Sequence, residues 1–360
     1  MAVCERVDVA MAFDEHYVPV AAAALASLLS HAGGQSTYHI HILSDALSAR
    51  SAQLLCAMAD TPHASVQVVA CNAEELSGRG LGYSQFTRHT FTRLYLPQLL
   101  PDLKRVLYLD ADTLVSADVA QLMSVDLQGH ALGGVRDATA APPHSQLPRP
   151  QLRAQGYPYD TMEEYLRSHL GLNDVQQGRY FNSGVLVIDL PRYAARLKET
   201  LPQLMARQWA YADQDILNVA FADDHLLLDE GWNVFASARR PPSPYEQWYA
   251  RHGCLPPILH FAGMRNPCDN PRPDLGVCDE FWRVLAGTPF FAQALQRWGA
   301  PAWASSCGRC CSRGPRCRVD SRCRSRLRRH RITVPHAACS AELPPPERWR
   351  GAAASAPAVL

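Results

Sequence analysis

The sequence predicts an α/β fold: a mostly parallel central sheet flanked by helices. Three observations carry this expectation. Short apolar or β-branched runs alternate with Ala- and Leu-rich segments through the first third of the chain. The run RVLYL at 105–109 ends directly in a pair of aspartates, Asp110 and Asp112. At 360 residues, the chain is long enough to bury a large core.

The elements follow in order. Residues 7–13 (VDVAMAF) read as a strand, and 18–30 as an Ala- and Leu-rich helix ended by Gly33-Gly34. Residues 38–43 (YHIHIL) alternate as a strand, 48–59 read as a helix and 65–70 as a strand. A helix is expected over 88–100, stopped by Pro101, and then the strand 105–109. Residues 131–135 form a short strand. Residues 138–159, rich in Pro and polar side chains, read as one long loop of the kind that is usually functional or mobile. Residues 180–190 (YFNSGVLVIDL) form an apolar strand and 193–209 a helix. A further helix spans 213–222 with Asp213 as its N-cap, and 258–262 is a last short strand. Residues 1–300 read as one domain and 301–360 as an appended tail.

Composition narrows the function classes. Apolar residues at 47% and charged residues at 19% are ordinary for a soluble globular protein. The longest apolar stretch, 18–29, is too short to span a bilayer. The opening MAVCERVDVA lacks the basic and long apolar regions of a secretory signal, so a cytoplasmic location is expected. From Pro301 onward twelve arginines face Asp320, Glu342 and Glu347, a charge of +9; the total of +1 then leaves −8 for residues 1–300. An acidic body gives no reason to expect a nucleic-acid partner. The tail shows no hydrophobic period and reads as disordered. Three readings of it compete: a segment without selected structure, a basic arm attracted to anionic lipid at the inner membrane, and a metal site around Cys307 and Cys310 that lacks structural-zinc spacing. Six of the twelve cysteines lie between Cys307 and Cys339; the other six, scattered singly, read as reduced and mostly buried thiols.

The chemistry concentrates at Asp110-Ala111-Asp112. Side chains two apart in extended backbone point to the same side, so both carboxylates can meet one hard cation at the carboxyl edge of the sheet, where open α/β sheets bind ligands. A divalent ion there can offset charge on a departing nucleoside diphosphate. Alone the triplet is a weak signal, because acidic pairs after strands are often turn or cap residues.

The pieces FTRLYLP, YLDADTLV, YFNSGVLVIDL, DQDILN and LHFAG, in this order over roughly 7–268, resemble glycosyltransferase family 8. The resemblance implies a GT-A nucleotide-diphospho-sugar transferase fold and a retaining hexosyl transfer from UDP-galactose or UDP-glucose. The implied acceptor is a saccharide, with the lipopolysaccharide core at the cytoplasmic face of the inner membrane as the expected one. It implies that Asp110, Asp112 and His260 hold Mn²⁺, with Mg²⁺ as the substitute; imidazole beside carboxylates suits Mn²⁺ better than Ca²⁺. It assigns Ala12, Asp14 and His16 to the nucleoside-binding turn, although Asp14 reads equally well as a helix cap. Arg93 would contact the donor, Asn182 and Ser183 would fix the sugar or a catalytic carbonyl, and Asp137 would lie near sugar and acceptor. Asp213 and Gln214 would hold the hexose hydroxyls beneath the anomeric carbon, as the local candidates for a catalytic role. Gly263 would let backbone approach the diphosphate. The family's closing motif continues with Lys-Pro-Trp; here Asn266 replaces the lysine and Cys268 the tryptophan, with Arg265 one residue early as the substitute cation.

Two rival readings remain at this stage. LYLDADTLV also looks like the first motif of haloacid-dehalogenase-type phosphatases, with Asp110 as nucleophile, Asp112 as general acid and Mg²⁺ beside them, and with Lys198 and Asp223-Asp224 as later motifs. That motif normally follows the first strand of its domain, whereas three strands are expected before it here. The other rival is a catalytically silent UDP-sugar-binding relative.

Overall fold

The computed structural model describes residues 6–59, 61–72, 88–236, 242–262 and 276–298. Among them ten strands follow along the chain: β1 (Arg6–Ala12), β2 (Thr37–Ser44), β3 (Ala64–Ala70), β4 (Arg105–Leu109), β5 (Thr113–Val115), β6 (Leu132–Arg136), β7 (Phe181–Asp189), β8 (His225–Leu227), β9 (Val234–Phe235) and β10 (Ile258–His260). Seven form a sheet in the order β3-β2-β1-β4-β7-β6-β8, and the other three a small sheet in the order β5-β10-β9. In the large sheet only β7 runs against its neighbours β4 and β6; the other pairings are parallel, as expected.

The main helices are α1 (Val18–Ser30), α2 (Ala49–Ala57), α3 (Leu190–Met205), α4 (Ala212–Ala220), α5 (Pro244–His252), α6 (Gly276–Ala286) and α7 (Phe291–Trp298). Two apolar cores lie on opposite faces of the sheet, and β1 shows why. Its odd residues Val7, Val9 and Met11 pack with α1 in one core, while Ala10 points into the other with Phe91, Leu94 and Tyr108. Small residues Ala21–Ala24 on α1 let it lie against both β5 and α6. No helix among the described residues is long and apolar enough to cross a membrane.

Strand order reverses between β1 and β4, which creates the crevice at their carboxyl ends. The ladder between β6 and β7 opens beside that crevice. Gly134 pairs with Leu186, but the next residue, Val135, pairs with Asn182. This irregularity frees Ser183, Gly184 and Val185 from β6.

Three sequence expectations need correction. Residues 88–100 do not form one α-helix: Arg88–Tyr95 is a 3₁₀ segment, followed by a single α turn at Leu96–Leu99. Pro97 explains the break, since it has no N–H for the Arg93 carbonyl four residues earlier. That carbonyl instead accepts from the Tyr193 hydroxyl (3.1 Å). Residues 138–159 are not one unstructured loop. They hold a 3₁₀ turn at His144–Gln146 and a helical turn at Pro150–Ala154, and Arg149 N donates to Asp160 O (2.7 Å). Elements this short are invisible to periodicity. Finally, Asp213 is not an N-cap. The helix α4 begins at Ala212, which takes a left-handed φ of 49°, and the capping position is Tyr211. The chain is bent there by Asp215, whose carboxylate accepts from Tyr211 N (2.8 Å) and from the hydroxyls of Tyr165 and Tyr180 (2.6 Å each).

Candidate active site

Asp110 and Asp112 flank the turn between β4 and β5, not consecutive positions of a strand. Their convergence comes from the pairing around them. Asp110 N donates to Gly184 O (2.8 Å), and β10 pairs antiparallel with β5 so that His260 stands opposite Thr113. His260 Nε2 then lies 3.2 Å from Asp112 Oδ1 and 3.6 Å from Asp110 Oδ2. The imidazole is buried, and the two carboxylates are partly open. Burial works to raise the Asp112 carboxyl, but the His260 imidazole overcomes this and holds it below its usual range. Burial likewise works to lower the pKa of His260, and Asp112 more than offsets it, so the net direction is upward.

The cluster fits a divalent cation on two observations. One ligand atom from each of the three residues lies within 4.8 Å of the others. The space beside them is kept clear by Gly184: a Cβ there would stand 2.3 Å from His260 Cε1 and 2.7 Å from Asp110 Oδ2.

A line of amides fixes which imidazole nitrogen faces the carboxylates. Asp137 Oδ2 accepts from Gln214 Nε2 (3.0 Å), and Gln214 Oε1 accepts from Asn182 Nδ2 (2.8 Å). Asn182 Oδ1 accepts from Asn233 Nδ2 (2.8 Å), which turns Asn233 Oδ1 toward His260 Nδ1 (2.9 Å). A carboxylate only accepts, so Asp137 sets the direction of every amide in the line. His260 must donate from Nδ1, and Nε2 is left for a ligand role.

Arg93 binds the other side. Its Nη2 donates to Asp110 Oδ1 (2.8 Å), Nη1 to the Ser183 carbonyl and Nε to Thr90 O (3.1 Å), and the guanidinium stacks 4.3 Å from the Tyr108 ring centre. It is buried, and these three bonds tie it to Asp110 and to the backbone on both sides of the centre. Asp213 Oδ2 lies 2.9 Å from Arg93 Nε, but that N–H is aimed at Thr90, and Oδ2 is left buried without a donor. Burial, reinforced by Asp110 and opposed by Arg93, pushes the Asp213 carboxyl up to about 7. Gln214 Oε1 is already held by Asn182 and by Ser183 N (3.3 Å), which leaves the amide a positioning part rather than a nucleophile.

The turn after β1 is built as a cap. Ala12 ends the strand, and Asp14 Oδ1 accepts from Tyr17 N (2.9 Å). The Tyr17 hydroxyl reaches Asp112 Oδ2 (3.4 Å). His16 is exposed; its carbonyl accepts from Arg297 Nη1 (2.8 Å), and Trp298 stands edge-on to its ring. The structure thus brings Asp110, Asp112, His260, Arg93, Asp137, Asn182, Ser183, Asp213 and Gln214 into one network, with Ala12 and Asp14 at its edge. Gly263, Arg265, Asn266, Cys268 and the tail lie outside the described residues. Sequence reading missed Asn233 and Gly184. A glycine inside an apolar strand was the available signal for the second; Asn233 carried none.

A family model described as Glycosyl transferase family 8 matches residues 8–267. The chain belongs to that family. Among relatives of this glycosyltransferase, the lipopolysaccharide 1,2-glucosyltransferase of Escherichia coli K12 is 27% identical over 274 residues, which is 73% of this chain and 73% of that protein. General stress protein A of Bacillus subtilis 168 is 24% identical over 57% of this chain and 67% of its own length. Among solved structures, the bifunctional glycosyltransferase WbbM superposes with a TM-score of 0.68 at 23% identity, over 83% of this chain but 52% of its own. The galactosyltransferase LgtC, solved with donor and acceptor sugar analogs, superposes at 0.61 with 21% identity, over 79% of this chain and 96% of its own. The fold is therefore that of the GT-A transferases. The phosphatase reading falls with the family match, and the topology agrees: β1, β2 and β3 precede Asp110, and His260 and Asp213 stand at the same centre.

Proposed function

We propose that this glycosyltransferase moves galactose or glucose from a UDP-sugar onto a saccharide acceptor with retention of configuration, and that Asp110, Asp112 and His260 hold Mn²⁺ or Mg²⁺. The observation that carries this reading is the three-ligand cluster with the donor-less oxygen of Asp213 beside it. When bound, the cation supplies charge to offset the leaving diphosphate. The chain's own residues do the rest. Asp213 Oδ2 accepts a hexose hydroxyl. Gln214, clamped between Asp137 and Asn182, fixes the floor beneath the sugar. Asp14 and His16 take the nucleoside, and the diphosphate contact is assigned to Arg265 and Gly263, with Asn266 in the place of the family's lysine. The carboxylates of Asp110, Asp112 and Asp137 are engaged by protein groups, and Asp213, whose Oδ2 lacks a donor, has its carboxyl pushed up to about 7 by burial, which makes it a weak nucleophile. This favours a front-face route: the leaving phosphate takes the acceptor proton, and the protein contributes positioning and electrostatics. By analogy with the relatives, the acceptor is a lipopolysaccharide core sugar. We further propose that residues 1–300 form the transferase domain and that 301–360 are an appended tail giving peripheral contact with the cytoplasmic face of the inner membrane.

The test is donor hydrolysis with a panel of UDP- and GDP-hexoses and Mn²⁺, following free nucleotide. Release of UDP from one hexose donor, abolished by chelator, supports the reading. UDP binding without release from any donor returns the chain to a silent relative.

A further inference from the structure

A cavity of about 420 Å³ adjoins the centre at Asn233. That volume suits one or two sugar rings. Arg136 and Thr139, which flank Asp137 in sequence, line it together with Asn233, and Trp248 and Phe235 give it apolar walls. Its charge is unusual for an acidic body. Arg251 pairs with Glu230 (2.7 Å) and cancels. Arg149 does not cancel. It is 7% exposed, and its guanidinium is held by two neutral acceptors, the Tyr211 hydroxyl (3.2 Å) and the Thr139 carbonyl. Among the described residues it pairs with no carboxylate; both oxygens of Asp137 are engaged elsewhere, by Thr139 and Gln214. A buried cation offset only by dipoles is costly unless an anion completes it. Arg136, exposed and also lining the cavity, adds a second positive charge.

We propose that this cavity seats the acceptor, and that the acceptor is a saccharide carrying an anionic group, a phosphate or a carboxylate, which Arg149 and Arg136 recognise. This rests on the transferase reading and adds the substrate class. With the anion held at Arg149 and Arg136, the sugar ring packs on Trp248 and turns a hydroxyl toward Asn233 and the transfer site.

Binding of glucose, glucose 6-phosphate and glucuronate, which differ only at C6, tests this without donor. Titration calorimetry should show at least one anionic sugar binding about tenfold or more tightly than glucose, and the tighter of the two names the anion. Inorganic phosphate alone should bind more weakly than glucose 6-phosphate. Arg136→Gln should erase about tenfold of the preference while leaving UDP release from the donor unchanged. Arg149→Met should do the same in a protein whose melting curve confirms folding. Equal binding of the three sugars, phosphate as tight as its sugar ester, or an unaffected Arg136→Gln overturns the proposal. UDP release separates this outcome from failure of the transferase reading, because that measurement needs no acceptor.

Discussion

His260 Nδ1 lies 2.9 Å from Oδ1 of Asn233, and this contact decides which imidazole nitrogen meets Asp110 and Asp112. Asn233→Ala should therefore weaken Mn²⁺ binding by about 10- to 100-fold, the usual effect of losing the partner that orients a ligating imidazole. Calorimetric titration of Mn²⁺ checks it. An unchanged affinity would mean that the amide line serves the fold alone.

Gly184 gives a sharper steric test. The Cβ of Gly184→Ala would stand 2.3 Å from His260 Cε1, so the imidazole or β7 must move. Stability should fall by about 1–3 kcal/mol, and Mn²⁺ affinity should fall with it. Denaturant melts and metal titration on the same sample separate the two effects.

Arg93 sits between Asp110 and Asp213, with Nη2 2.8 Å from one and Nε 2.9 Å from the other. Arg93→Met leaves two buried or half-buried carboxylates facing each other, and should cost about 3–5 kcal/mol of stability. Arg93→Lys keeps the charge but not the fork, and should recover only part of the loss. Urea unfolding of both variants reads this directly.

Asp8 on β1 contributes to acid sensitivity. Burial works to raise its carboxyl, but His41 Nε2 at 2.9 Å and Arg6 Nε at 2.8 Å outweigh this and hold it near about 2, against an ordinary 3.8. A carboxyl lowered on folding stabilises fully above the unfolded value and loses that contribution as pH falls through the folded value. Stability should thus decline between about pH 4 and pH 2, by about 2 kcal/mol from this group. Asp8→Asn should lose the same amount at neutral pH and show a flatter acid limb in urea melts at pH 5, 4 and 3.

The parts of the fold that could be read from sequence were those with long, repeated patterns. The strands at 7–13, 38–43 and 180–190 carry enough β-branched and apolar residues to be unambiguous, and each lies within a residue of its observed bounds. The helix expected over 88–100 failed because one missing N–H at Pro97 outweighs a run of helix-compatible residues. Turns of three to five residues in 138–159 leave no period to detect. At the site, Asp110 and Asp112 are legible as an Asp-x-Asp pair after a strand and His260 through the resemblance, but a turn and the β5–β10 pairing bring them together, not strand alternation. Asn233 was out of reach, because its role depends on a line of contacts through Asn182 and Gln214 that only the fold assembles.

Titrating Mn²⁺ into the protein with and without UDP tests most directly whether one centre takes a divalent cation together with a nucleoside diphosphate. The expected result is tighter Mn²⁺ binding in the presence of UDP, with the same factor of coupling seen from the UDP side, and loss of both in Asp112→Asn and His260→Ala proteins that still fold. Mn²⁺ binding that is indifferent to UDP and unchanged in those two variants would contradict the assignment.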